Sequence, residues 1–168
     1  MSEALRRAVL ELESHASSLG WDQPAMLFAL VETAALSAAE PELAEQLGIE
    51  PGAEGLTPVQ QDLPDDTAME SVLRQIEWPD EVAGCAVVLE RLVLPPGADA
   101  DLPEEDAAAA EYAAAHPDRQ EVRMVVAATR DDSGYCAIRL RAHDDNESVI
   151  DGVDLVPALL ELVRGTLK

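Results

Sequence analysis

Positive charge is scarce in this chain. Eleven lysines and arginines face 34 aspartates and glutamates, a formal net charge of −23, and Lys168 is the single lysine. A surface so negative repels nucleic-acid phosphates and anionic lipid headgroups, so neither nucleic acid nor membrane is expected as a partner. Cysteine is nearly absent too. Cys85 and Cys136 stand in apolar runs with no CxxC pair, as thiols buried in a reducing compartment do. Aromatic residues make up 3% of the chain, so a core has to be assembled from Leu, Val and Ile, with alanine filling the rest. No apolar stretch approaches the ~20 residues of a transmembrane helix. The opening residues mix Arg6, Arg7, Glu11 and Glu13 with apolar positions and lack the apolar centre of a signal peptide, so a cytoplasmic location is expected.

Catalytic motifs are missing as well. There is no GxSxG elbow, GxGxxG turn, phosphate-binding glycine loop or HExxH pair, and His15, His116 and His143 lie far apart in different kinds of segment. The run His143-Asp144-Asp145-Asn146-Glu147 offers oxygen ligands. Counted from Asp144, however, the glycine and the bidentate acid of a calcium loop would fall at Val149 and Leu155. A Cys/His dyad needs a thiolate, and thiols in apolar mid-strand surroundings resist ionisation. Carboxylates are so abundant that none is marked out as a general acid or base. No metal or cofactor is expected.

What is present is a globular pattern. A hydrophobic fraction of 48% over 168 residues suits one domain, residues 1–168, with a sizeable core. Leu5, Ala8, Val9, Leu12, Ala16 and Leu19 recur with the helical period, Ser2 is placed to cap that helix and Gly20 to end it. Met26–Val31 reads either as a buried strand or as a helix begun at Asp22. Thr33 at the cap of a separate alanine-rich helix favours the strand. Pro41 opens a short turn through Leu47, and a short strand is expected near Leu56–Gln60. Thr67 is placed to cap a helix carrying Met69, Val72, Leu73 and Ile76, and Gly84–Leu94 is a strand stopped by Pro95-Pro96-Gly97. Residues 99–118 hold seven acids and no lysine or arginine, and are expected to form an acidic, alanine-rich arm.

Glu121–Arg130 and Tyr135–Ala142 read as a hairpin. A loop of Asp132, Ser133 and Gly134, with the glycine left-handed, pairs residues of equal parity. Val122, Met124, Val126 and Ala128 then share a face with Cys136, Ile138, Leu140 and Ala142. Arg123, Thr129, Tyr135, Arg139 and Arg141 take the other face. Asp154 is placed to cap a closing helix striped by Val156, Leu159, Leu160, Val163 and Leu167. The expected fold is α+β: an antiparallel sheet flanked by N- and C-terminal helices.

Two features invite a binding role. Arg123, Arg139 and Arg141 form a basic stripe against the global charge, suited to gripping carboxylates of a partner, of a second subunit, or of the protein itself. Trp21 and Trp78 each stand at the entrance to an apolar run, as plugs for the sheet ends or as anchors for a partner.

The phrases Gly20-Trp21-Asp22-Gln23-Pro24 with Leu27-Phe28-Ala29-Leu30-Val31, and Trp78-Pro79-Asp80-Glu81-Val82-Ala83-Gly84-Cys85-Ala86, resemble those of an uncharacterised family of small acidic actinobacterial proteins. That resemblance implies a cytoplasmic setting and carries no activity or site residue. The arrangement is also similar, in architecture alone, to type III secretion chaperones, which implies a dimer that holds a client segment. The function expected is a non-enzymatic protein-binding module, adaptor or chaperone-like, acting as a homodimer. The alternatives are an enzyme or small-metabolite-binding protein with an unrecognised site and, third, a structural subunit.

Overall fold

A computed structural model describes residues 2–49, 55–63, 68–93, 108, 111, 120–145, 148–153 and 155–167. The arm expected at 99–118 lies outside these apart from Ala108 and Glu111, as do the caps expected at Thr67 and Asp154. Six strands form one antiparallel sheet: β1 (Met26–Glu32), β2 (Leu56–Gln61), β3 (Gly84–Val93), β4 (Gln120–Thr129), β5 (Gly134–Leu140) and β6 (Ile150–Gly152), in the spatial order β2-β1-β3-β4-β5-β6. Helix α1 (Ser2–Leu19) covers one face. Helices α4 (Met69–Gln75) and α5 (Pro157–Gly165) cover the other, while α2 (Thr33–Ala39) and α3 (Pro41–Gln46) connect β1 to β2. The α+β class and the terminal helices are as the sequence predicts.

Covering both faces explains the composition of the central strands. Cys85 to Leu89 and Val122 to Ala128 are buried without interruption, because alternate residues feed two cores and neither face meets water. Leu27, Cys85, Val87, Met124, Val126 and Cys136 pack with Leu159, Leu160 and Val163 of α5. On the opposite face Phe28, Leu30, Ala86, Val88, Val125 and Ala137 pack with Leu5, Val9 and Leu12 of α1. Leu19, expected on the buried stripe, is instead 45% exposed at the end of α1, where Gly20 turns the chain with φ +85°.

The hairpin keeps the predicted faces and moves the turn. Val122 pairs with Leu140, Arg123 with Arg139 and Val126 with Cys136, all of equal parity, but Tyr135 faces Ala127 rather than Asp131. The loop closes on a bond from the Thr129 amide to the Ser133 carbonyl (3.0 Å), and Asp132, not Gly134, takes the left-handed conformation (φ 64°). Aspartate tolerates that region, and the neighbouring Asp131 carboxylate accepts from the Thr129 hydroxyl and the Ser133 amide. Gly134 serves a different need. A β-carbon there would stand 3.0 Å from the Leu160 methyls and from Arg164, so the glycine makes room for α5 to cross the strand.

Other local expectations also shift. Thr33 is the first residue of α2, not its cap, and its hydroxyl pairs with that of Thr57 on β2 (2.8 Å). β5 stops at Leu140, and Arg141–His143 forms a 3-10 turn. Helix α5 begins at Pro157 without a side-chain cap. Strand β6 falls between Glu147 and Asp154, where the sequence predicts no element.

Candidate functional site

Arg123 and Arg139 face each other across β4 and β5, and each is 1% exposed. Like charges directly opposite repel, and burial makes each more costly, so the fold has to supply anions and acceptors. Helix α1 supplies the first. Glu13, itself 5% exposed, grips Arg139 with both oxygens, at 2.5 Å from Nε and 3.2 Å from Nη2. Asp144 takes Arg139 Nη1 at 3.0 Å. These bonds, led by that from Glu13, raise the guanidinium pKa.

Arg123 closes the loop that follows α1. It donates to the Gly20 carbonyl (2.6 Å) and lies beneath the Trp21 ring, 4.4 Å from its centre, although its buried Nη1 meets no acceptor. The Trp21 indole donates to Asp144 (3.0 Å), and that bond first, then Arg139, holds the Asp144 carboxyl below the usual aspartate range. Asp22 sits at φ 64°, and Glu90 receives the amides of Asp22 and Gln23 at 2.8 and 3.0 Å. Arg141 grips Asp22 with two bonds (2.8 and 3.0 Å) and Glu121 with one (2.6 Å), which holds the Asp22 carboxyl low.

The structure thus gathers four of the five candidates, Trp21, Arg123, Arg139 and Arg141, at one end of the α1 face. Their use is internal. Of the uses that the sequence leaves open for Arg123 and Arg139, the contacts within the chain are the internal one, and α1 with the loop after it covers both guanidiniums. Trp21 and Arg141 are partly exposed and also engaged within the chain. Trp78 lies on the other side of the sheet, where its indole donates to the Thr166 hydroxyl (3.0 Å) beside the α4–α5 core. Sequence reasoning missed Glu13, although the signal was there: position 13 is four beyond Val9 and three before Ala16, within the buried sector of α1.

Cys85 and Cys136 are both buried, and burial pushes the Cys85 thiol up to about 12, against bonds from Thr166 and Trp78. Neither is placed for nucleophilic chemistry. A concavity of about 390 Å³ opens where β1 and β4 end and β3 begins, with Glu32, Asp80, Glu81 and Asp131 on its wall. Arg130, the cation among its described lining residues, is spent on the carbonyls of Trp78, Pro79, Val82 and Leu167. Among the described residues no group of His, Cys, Asp and Glu is arranged to hold a metal, and no helix is long and apolar enough to cross a membrane. Exposed apolar side chains include three beside the edge strand β6: Ile150 (50%), Val153 (58%) and Leu155 (36%).

The chain belongs to the PPA1309-like protein family, which it matches over residues 5–168. No curated protein and no solved structure matches it.

Proposed function

We propose that this protein is a non-enzymatic protein-binding module, adaptor or chaperone-like, working in the cytoplasm of an actinobacterium. The observation that supports this reading is the placement of Ile150, Val153 and Leu155. Three large apolar side chains within six residues stay in water beside the edge strand β6, whereas the central strands are buried on both faces over Cys85–Leu89 and Val122–Ala128. The buried arginines are spent within the fold, so the partner is met by this edge and not by the basic stripe. The reading is tested by affinity capture from native extract with the wild type and with the Ile150→Glu/Val153→Glu variant, both checked for an unchanged thermal melt. A stoichiometric protein recovered with the wild type and lost with the variant supports it. Recovery unaffected by the variant sinks it.

The acid-walled concavity favours a second reading, a binding site for a small cationic metabolite. Mass spectrometry of material released from the purified protein on denaturation separates the two. A stoichiometric small molecule, displaced by Glu81→Lys, would replace the first reading with the second.

A further inference from the structure

Strand β6 pairs with β5 on one side and, among the described residues, with no strand on the other. Among the described residues, then, no strand takes its outer amides and carbonyls, the groups by which a further strand would pair. Its side chains divide by face. Ile150 stands opposite Ile138 and Gly152 opposite Cys136, on the side covered by α5. Asp151 stands opposite Ala137, on the α1 side, where it accepts from the Tyr135 hydroxyl and lies 3.9 Å from Arg6. Leu155 folds back over Gly152, which adds apolar surface on the Ile150 side. Residues 143–155 contain five acids and no lysine or arginine.

We infer that β6 receives, as a seventh strand of the sheet, an extended partner segment in which apolar and basic side chains alternate. The inference rests on the protein-binding reading above and names its partner class. Main-chain bonds give the segment its place, and the two faces of β6 give it its pattern. Apolar residues lie over Ile150 and Leu155 on the α5 side, while lysines or arginines meet Asp151 on the α1 side. A second copy of this chain is a poor occupant. Two β6 strands related by a two-fold bring Asp151 toward Asp151, between bodies that each carry a charge of −23.

The probe is a short peptide alternating valine with lysine, and its control has the same composition in two blocks. Both are titrated into the full chain at physiological salt while backbone amide shifts are followed. The alternating peptide is expected to bind at least tenfold more tightly than the block peptide and to shift amides of β5 and β6. Asp151→Lys is expected to weaken it at least tenfold and to transfer the preference to a valine–glutamate peptide. Because Asp151→Lys also removes the Tyr135 acceptor, Asp151→Asn, which retains an oxygen, is the second variant and should weaken binding several-fold with an unchanged melt. Equal affinity for alternating and block peptides, or affinity indifferent to residue 151, overturns the inference. So does a dimer that dissociates in the Asp151→Lys variant. If the captured partner is lost with Ile150→Glu/Val153→Glu while the peptides show no preference, protein binding stands and strand addition falls. If capture ignores that variant, both fall.

Discussion

Replacing Glu13 by alanine should leave Arg139 as a buried cation with its main partner gone. The Arg139 and Glu13 side chains are 2% and 6% exposed, so water does not reach the site to compensate. Removing one member of such a pair costs about 3–5 kcal/mol, because the remaining charge keeps its desolvation penalty and loses its attraction. Asp144 still holds Nη1 at 3.0 Å from a half-exposed position, which places the expected loss near the lower end, about 3 kcal/mol. For a domain stable by about 5–15 kcal/mol that is a large fraction. At this chain length it corresponds to a fall in Tm of about 6–12 °C.

Urea denaturation followed by circular dichroism measures the loss, with the midpoint falling and the slope unchanged if the fold is otherwise intact. Glu13→Gln, which keeps one acceptor without the charge, should fall between the wild type and Glu13→Ala. Asp22→Asn removes the charge of an exposed partner of Arg141, keeps a residue type that tolerates φ 64°, and should move the midpoint little, since water screens that pair. Replacing Glu13 and Arg139 together by methionine should recover much of the loss, because neither member of the pair is then left buried without the other. A Glu13→Ala loss below about 1 kcal/mol, or one matched by Asp22→Asn, would refute the view that this pair locks α1 to the sheet.

Gly84→Ala should destabilise more than Gly134→Ala: the added carbon meets the Ala128 carbonyl at 2.5 Å, which is backbone and cannot yield, whereas at Gly134 it meets side chains at 3.0 Å, and chemical denaturation ranks the two. Cys85 should resist a maleimide at pH 8 in the native state and react only at the rate of global unfolding, as its thiol is buried and raised to about 12; rapid native labelling would contradict the burial. Stability should fall in acid. Asp22 and Asp144 titrate lower folded than unfolded, so their contribution is complete above about pH 4 and is lost as pH drops through the folded values, and Asp144→Asn should flatten that fall in a melt series.

The long elements were legible because their side-chain periods have one structural solution. Strands β3 and β4 carry the apolar runs Cys85–Leu89 and Met124–Ala128, and the β4–β5 pattern allows only registers that keep Val126 on one face with Cys136 and Arg123 on the other with Arg139. Parity, however, does not locate a turn. Gly134 looked like the left-handed residue of the loop, whereas its small size serves contact with α5, and Asp132 takes the strained position. Strand β6 escaped notice because three residues, Ile150-Asp151-Gly152, are too few for an alternation to rise above a loop. Helix α2 shows the same limit. Thr33 suits a cap by type, but its hydroxyl is drawn to Thr57 across a long connection that local reading cannot foresee.

The basic stripe shows why pattern alone left its use open between a partner and the fold itself. Alternation says that Arg123 and Arg139 leave the Val126–Cys136 face, but not whether the opposite face meets water or another layer. The decisive residue was on α1, where an acid occupies the apolar sector at position 13. A buried acid on a helix requires a cation on whatever the helix covers, and the stripe on β4 and β5 offered two. The same logic reaches Arg130, which ties four carbonyls from two segments. In a chain with 34 acids and eleven bases, a cation placed inside the fold is withdrawn from the surface. The surface left to a partner is then richer in carboxylates than the composition suggests, and any partner that approaches it closely has to bring positive charge of its own.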